Sequence, residues 1–270
     1  MSRMQTWFSW QRVGAMVLRY LFLMRNSWPR LIELVYWPTA QMLLWGFMTK
    51  FLMTNSWWVA QAAGVLITAV LLWDILFRGQ LGVSLMFFEE MYARNLGHLF
   101  ASQLRSYEMV VALVTMSLLR TLISFGGSAA LAVPIFGFSV FSLGLPLAGF
   151  FLNLLINGWA IGLMVVGLVM RFGLGAESLA WVAIFAIAPI AGIYYPVDTL
   201  PGWLQPVSHM IPASHVFEGM RALMMTQTVR YDLMLNALGL NLVYMTFGVV
   251  MFLVSFRAAR QRNLLLQVGE

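Results

Sequence analysis

Several stretches of this chain approach the roughly 20 consecutive apolar residues that an α-helix needs to cross a hydrocarbon core about 30 Å thick, and they recur along its whole length. A backbone placed in lipid must satisfy its own hydrogen bonds, which leaves helices or closed barrels. Runs of this length select helices. Composition agrees: 61% of the 270 residues are hydrophobic and 10% are charged, against about 25% charged in soluble domains. The fold class expected is an all-α membrane protein.

The apolar runs place six spans, at about Leu31 to Leu52, Trp57 to Phe77, Glu108 to Val133, Leu145 to Met170, Leu179 to Tyr195 and Leu235 to Phe256. Six crossings put both termini on one side. Arg3, Arg12, Arg19, Arg25 and Arg30 of the N-terminal arm, Arg78, Arg94 and Arg105 of the 78–107 loop, Arg171, and the tail residues Arg257, Arg260 and Arg262 gather on that side. The positive-inside rule makes it cytoplasmic. The net charge of +6 thus tracks topology rather than nucleic-acid binding. Arginines recurring through residues 3–30, with no short apolar core ending in small residues, do not read as a cleavable signal peptide. The sequence has no cysteine, so disulfides and thiolate metal sites are unavailable.

Before the first span, Arg12 and Arg19 lie seven apart on a stripe shared with Gln5 and Asn26, opposite Trp7, Phe8, Trp10, Val13, Val17, Leu18, Leu21 and Phe22. Such a segment suits a helix lying in the membrane interface. A span here would bury arginines at about 2.5–3.5 kcal/mol each. The chain reads as one domain over 1–270: an interfacial helix within 1–30, the 78–107 cytoplasmic loop, and a re-entrant exoplasmic hairpin over 196–230.

That hairpin follows an apolar run broken by Pro189 and Pro196, since helices stop at or before the residue preceding proline. Asp198, Thr199 and Pro201 read as a helix start, with Trp203, Leu204 and Val207 as its apolar face. A second start falls at Pro212 and Ser214, and Glu218 and Arg221, three apart, can pair. Broken backbone at membrane depth survives only beside protein or a water-lined cavity, so this stretch points to a pathway.

Other candidates carry two readings each. Glu33, Trp37 and Gln41 recur every four residues on one face of the first span, continued by Leu44 and Met48: either a lumen or subunit contact, or an interfacial anchor. Tyr194 and Tyr195 could gate or stack on substrate, or belong to an aromatic belt. Arg120, the lone charge deep in the third span with Ser117 and Ser124 on its face, must meet protein, water or an anionic head group. Asp74 and Arg78 read as a local ion pair, and Asn153 and Asn157 as interhelical hydrogen-bonding residues. Gly158 and Gly162 form a G-x-x-x-G contact in the fourth span. His209, His215 and Glu218 lack convergent metal spacing, so no metal site is assigned. In the 78–107 loop, Phe87, Met91, Leu96 and Leu99 interleave with Glu89, Glu90, Arg94 and Asn95. They form either a docking knob for another protein or a solvated connector.

The stretch PIAGIYYPVDTLPGWLQPVSHMIPASHVFEGMR, with an amphipathic N-terminal helix, six spans and a charged loop after the second, resembles the membrane subunits of ABC-2 type ATP-binding-cassette exporters. The likeness rests on the Tyr-Pro-Val break, the Leu-Pro-x-Trp-Leu-Gln segment and a proline turn leading to Glu218 and Arg221. Ile211-Pro212-Ala213 stands where many members have Asn-Pro-Leu or Asn-Pro-Thr, and Pro212 keeps the helix start. The resemblance implies a bacterial inner-membrane exporter permease working as a homodimer, its pathway lined by Glu33, Trp37, Gln41, Tyr194 and Tyr195. It implies a coupling helix at Phe87, Glu89, Glu90, Arg94, Asn95 and Leu96 that docks on a separate ATPase, and an exoplasmic hairpin carrying Pro196, Asp198, Pro201, Trp203, Glu218 and Arg221. On this reading, replacing Glu90 and Arg94 together by alanine lowers transport and ATPase association without unfolding the spans. The substrate class would be a lipid-linked saccharide or an amphipathic or hydrophobic compound. The chain lacks a G-x-x-x-x-G-K-[ST] loop, so it is no ATPase of that kind, and ATP and Mg would sit on the partner. The alternatives are an ion-coupled secondary transporter, which would need paired broken helices and buried acids, and a lipid-modifying enzyme, for which a nucleophile and base set is missing.

Overall fold

The structure, a computed structural model, describes residues 8–55 and 57–262. Among them there are helices and turns and no strand. In chain order the α-helices are α1 (Trp10–Arg25), α2 (Trp28–Asn55), α3 (Trp57–Tyr92), α4 (Leu96–Ala101), α5 (Ser106–Phe136), α6 (Leu145–Phe172), α7 (Leu179–Ile187), α8 (Gln205–His209), α9 (Pro212–Thr226) and α10 (Tyr231–Arg262). Four segments are long and apolar enough to cross a membrane: Gly64–Tyr92, Ser106–Phe136, Leu145–Phe172 and Tyr231–Arg260. The chain is therefore a multi-pass membrane protein.

The second and fifth expected spans change their limits. Helix α3 continues 15 residues past Phe77, to Tyr92, because Arg78 does not stop it: its Nε lies 3.3 Å from Asp74 Oδ1 one turn earlier, which neutralises both charges. The helix ends where Arg94 takes φ 51° and the Asn95 amide returns to the Glu90 carbonyl at 3.0 Å. The connection to α5 is correspondingly short, with α4 inside it. Helix α7 has only nine residues, about 14 Å at 1.5 Å per residue. It gives way to turns one residue before Pro189, and the chain reverses through Gly192 at φ 64°, a conformation that glycine adopts without penalty. Helix α2 is 28 residues long, about 42 Å, and carries Glu33, Gln41 and Lys50 among its apolar residues.

Contacts fix the helix directions. Val35 lies beside Gly127 and Gly46 beside Phe136, so α2 and α5 run the same way. Ser117 bonds the Gly79 carbonyl and Ser124 bonds Asp74, so α3 runs against them. Helices α3 and α6 run together and touch backbone to backbone. A Cβ on Gly158 would lie 2.6 Å from the Leu76 carbonyl, and one on Gly162 would lie 2.8 Å from that of Gln80. The G-x-x-x-G pair thus joins two helices of one chain. Helix α10 joins the same layer, with Gly248 against the Ala160 carbonyl and Asn241 Nδ2 donating to the Asn153 carbonyl and Oδ1 at 2.9 and 3.0 Å. Asn157, though buried, has no hydrogen-bond partner among the described residues.

Helix α1 packs on the end of the bundle where α3 finishes and α5 begins. Val13, Met16 and Tyr20 are buried there. Arg12 grips Glu108 through Nε and Nη2 at 2.8 and 2.5 Å, which raises the Arg12 pKa further. Arg19 reaches both oxygens of Glu90 at 2.9 Å. Two carboxylates at helix ends thus meet the arginines of the stripe. Trp10, Leu18, Phe22 and Leu23 are large apolar residues left exposed, and they keep the helix suited to a membrane interface. Of the N-terminal stripe and face, Gln5 and Trp7 lie outside the described residues.

Candidate functional site

A cleft of about 320 Å³ opens between α2, α3, α5 and α7, within the range of small-molecule sites. Its apolar wall is aromatic. Trp73 and Phe77 sit one turn apart on α3, with centroids 6.5 Å apart, and Trp181 and Phe185 stack one turn apart on α7 at 6.3 Å. Phe77 touches both α7 rings, at 6.0 and 6.1 Å. Residues four apart share a helix face, so each pair presents a continuous surface.

The polar wall comes from three helices. Asp74 has both oxygens engaged, one by Arg78 and the other by Ser124 Oγ at 3.0 Å. Arg78 Nη2 is buried with no acceptor. Half-buried Arg120 lines the same cleft and has no hydrogen bond or ion pair among the described residues. The side chains of Glu33, Trp37 and Gln41 line it from α2 and are exposed.

The four-residue spacing on α2 and the lone charge on α5 thus converge on one place. Tyr194 and Tyr195 do not reach it. Tyr194 stacks on Trp45 with centroids 4.3 Å apart, one turn along α2 from Gln41, and the Tyr195 hydroxyl donates to the Pro189 carbonyl at 2.5 Å. Trp73, Phe77, Trp181 and Phe185 went unnoticed in the sequence. The signal was there: two aromatic pairs at i, i+4 in otherwise aliphatic runs.

The loop residues need correction. Phe87, Glu89 and Glu90 belong to the last turns of α3, not to a separate short helix. Phe87, Glu90 and Leu96 are buried: Phe87 meets Phe252 at 5.9 Å, and Glu90 binds Arg19 and accepts from Asn95 Nδ2 at 3.1 Å. Glu89 pairs with Arg30 at 3.3 Å. Of the six, Arg94 is exposed, and Glu89 and Asn95 are partly so. Phe87 and Leu96 are not exposed anchors, since these side chains are buried in the end of the bundle.

At the opposite end, residues 197–199 form a 3-10 turn instead of starting a longer helix, and Asp198 makes no side-chain cap. Helix α8 has only five residues, with Pro206 in its first turn, and the chain turns at Met210 before α9 starts at Pro212. Pro196, Asp198, Pro201 and Trp203 are exposed, Trp203 by 75%. Glu218 and Arg221 pair at 3.1 Å on α9 and clamp the reversal. Glu218 Oε1 accepts from the Val197 amide at 2.8 Å, and Arg221 Nη2 donates to the Gly192 carbonyl at 2.5 Å. His215 Nε2 lies 2.8 Å from the His209 carbonyl oxygen, and no group of three His, Asp or Glu residues able to hold a metal occurs among the described residues.

Residues 13–225 match the model of the family described as ABC-2 type transporter. A search of the curated proteins finds no match.

Proposed function

Because the chain belongs to the ABC-2 type transporter family and is the membrane subunit of a transporter, we propose that it is the permease of an ATP-driven exporter that works as a homodimer. The substrate path runs along the α2 and α7 face, and a separate ATPase carries ATP and Mg. The carrying observation is the cleft: Glu33, Trp37 and Gln41 of α2 stand open beside Arg120 and an aromatic wall. Polar groups at membrane depth need water or protein around them, and a conduit between two copies supplies both.

Helices α2 and α7 run antiparallel to α3, which favours six crossings, with α7 ending partway and the chain returning through the 196–230 hairpin. Arginine distribution places both termini in the cytoplasm and the hairpin outside, in a bacterial inner membrane. Arg94 and Asn95, on the cytoplasmic turn, touch the ATPase. The remaining coupling candidates act behind them: Glu90 and Glu89 tie that turn to α1 and the start of α2, so closure of two ATPases moves a rigid assembly rather than a loop. The substrate is an amphipathic compound or lipid-linked saccharide. The 1–270 segment acts as one domain.

Reconstituting the chain in vesicles with its ATPase tests the reading. ATP-dependent movement of an amphiphile that stops without hydrolysis is expected. Transport that ignores ATP and follows a proton gradient would replace it with an ion-coupled transporter.

A further inference from the structure

The hydrogen-bond inventory of the cleft is lopsided. Both Asp74 oxygens are engaged, by Arg78 and Ser124, and Glu33 is exposed on the α2 side of the cleft. On the donor side Arg120 has no acceptor, and Arg78 has one nitrogen buried without a partner. Apart from the exposed Glu33 and Gln41 side chains of α2, the cleft offers Arg120 no free side-chain acceptor. Glu33 and Glu89 lie near enough to act on Arg120 electrostatically, but neither is bonded to it. A half-buried guanidinium inside a span is costly unless an anion or water meets it directly, and its planar fork fits a phosphoryl or carboxylate group in two-point contact. Beside it lie Trp37, Trp73 and Phe77 with the stacked Trp181 and Phe185, a surface that water does not repay and an alkyl or prenyl chain does.

We propose that this cleft seats an anionic amphiphile, its oxyanion group on Arg120 and its apolar part along the aromatic wall of α3 and α7. Arg78, already turned toward Asp74, adds positive field rather than a direct contact. A volume of about 320 Å³ holds the head group and the first carbons, and the rest of the chain leaves beside exposed Trp37. The proposal names the substrate class of the path proposed above and rests on that reading, but binding can be measured without the ATPase.

The purified chain in dodecyl maltoside micelles keeps a neutral amphiphile of equal chain length in large excess. Radiolabelled dodecyl phosphate binds saturably under these conditions, and Arg120→Gln weakens it by about tenfold or more, the loss of one charge-assisted pair. Arg120→Lys retains part of the affinity, and Trp37→Ala weakens binding with the charge intact. If Arg120→Gln does not give folded protein, the other two variants carry the comparison. Dodecylamine fails to compete. Competition by phosphatidylglycerol supports the proposal with a bilayer lipid as occupant, and failure to compete supports it with a dedicated phosphorylated substrate. Equal binding by wild type and the Arg120 variants, or inorganic phosphate competing as well as dodecyl phosphate, would overturn it. Anion-selective binding without ATP-driven transport would defeat the transport reading alone, and transport without such binding this one alone.

Discussion

At the scale of single residues, the pairs Arg12 with Glu108 and Arg19 with Glu90 decide what the N-terminal helix is. Each joins a guanidinium on α1 to a carboxylate at a helix end, so α1 is part of the bundle as well as a surface element. Glu90 and Arg94 therefore separate, although the sequence grouped them. Glu90→Ala leaves Arg19 and Asn95 without their acceptor and costs about 1–3 kcal/mol, toward the low end because Arg19 is about a third exposed. Thermal unfolding in micelles, with a lowered midpoint for Glu90→Ala and an unchanged one for Arg94→Ala, checks this. Arg94→Ala alone lowers ATPase co-purification. If Arg94→Ala leaves both association and turnover intact, the turn at Arg94 does not couple. The double substitution confuses the two effects.

Among the elements, the α3 and α6 contact is the least tolerant. Gly158→Ala drives a methyl group to within 2.6 Å of a carbonyl oxygen, and backbone must separate at a cost of about 1–3 kcal/mol. Gly239→Ala on α10 meets nothing within 4 Å and holds or raises the melting temperature, since alanine is the better helix former. Equal midpoints for the two variants would argue against close packing there. This contact was legible in sequence as a small-residue spacing, as were the hairpin breaks at Pro189 and Pro196 and the Glu218 and Arg221 pair. The extent of α3 was not: the Asp74 and Arg78 pair was legible but reads as the edge of a span, whereas the helix carries on past it to Tyr92. Nor was the burial of Phe87 and Leu96, since a helix with apolar residues on one face looks the same whether that face meets a partner chain or its own bundle. The cleft was half legible: spacing within α2 gave one wall, while the meeting of α3, α5 and α7 depends on tertiary contacts that no local period encodes.

For the whole molecule, absence of native cysteine makes every introduced thiol unique. Trp203→Cys, exposed on the hairpin, reacts with a membrane-impermeant maleimide added outside intact cells, and Arg94→Cys reacts only after permeabilisation. The reverse pattern would invert the topology. The claim at the centre is that two copies face each other across α2. Trp37 and Leu242 are comparably exposed, at 54% and 63%, but only Trp37 borders the cleft, so exposure alone cannot favour one. Oxidative cross-linking of membranes carrying a single cysteine at one or other position decides it. Covalent dimers from Trp37→Cys and none from Leu242→Cys are expected, and dimers from Leu242→Cys alone would contradict the shared path.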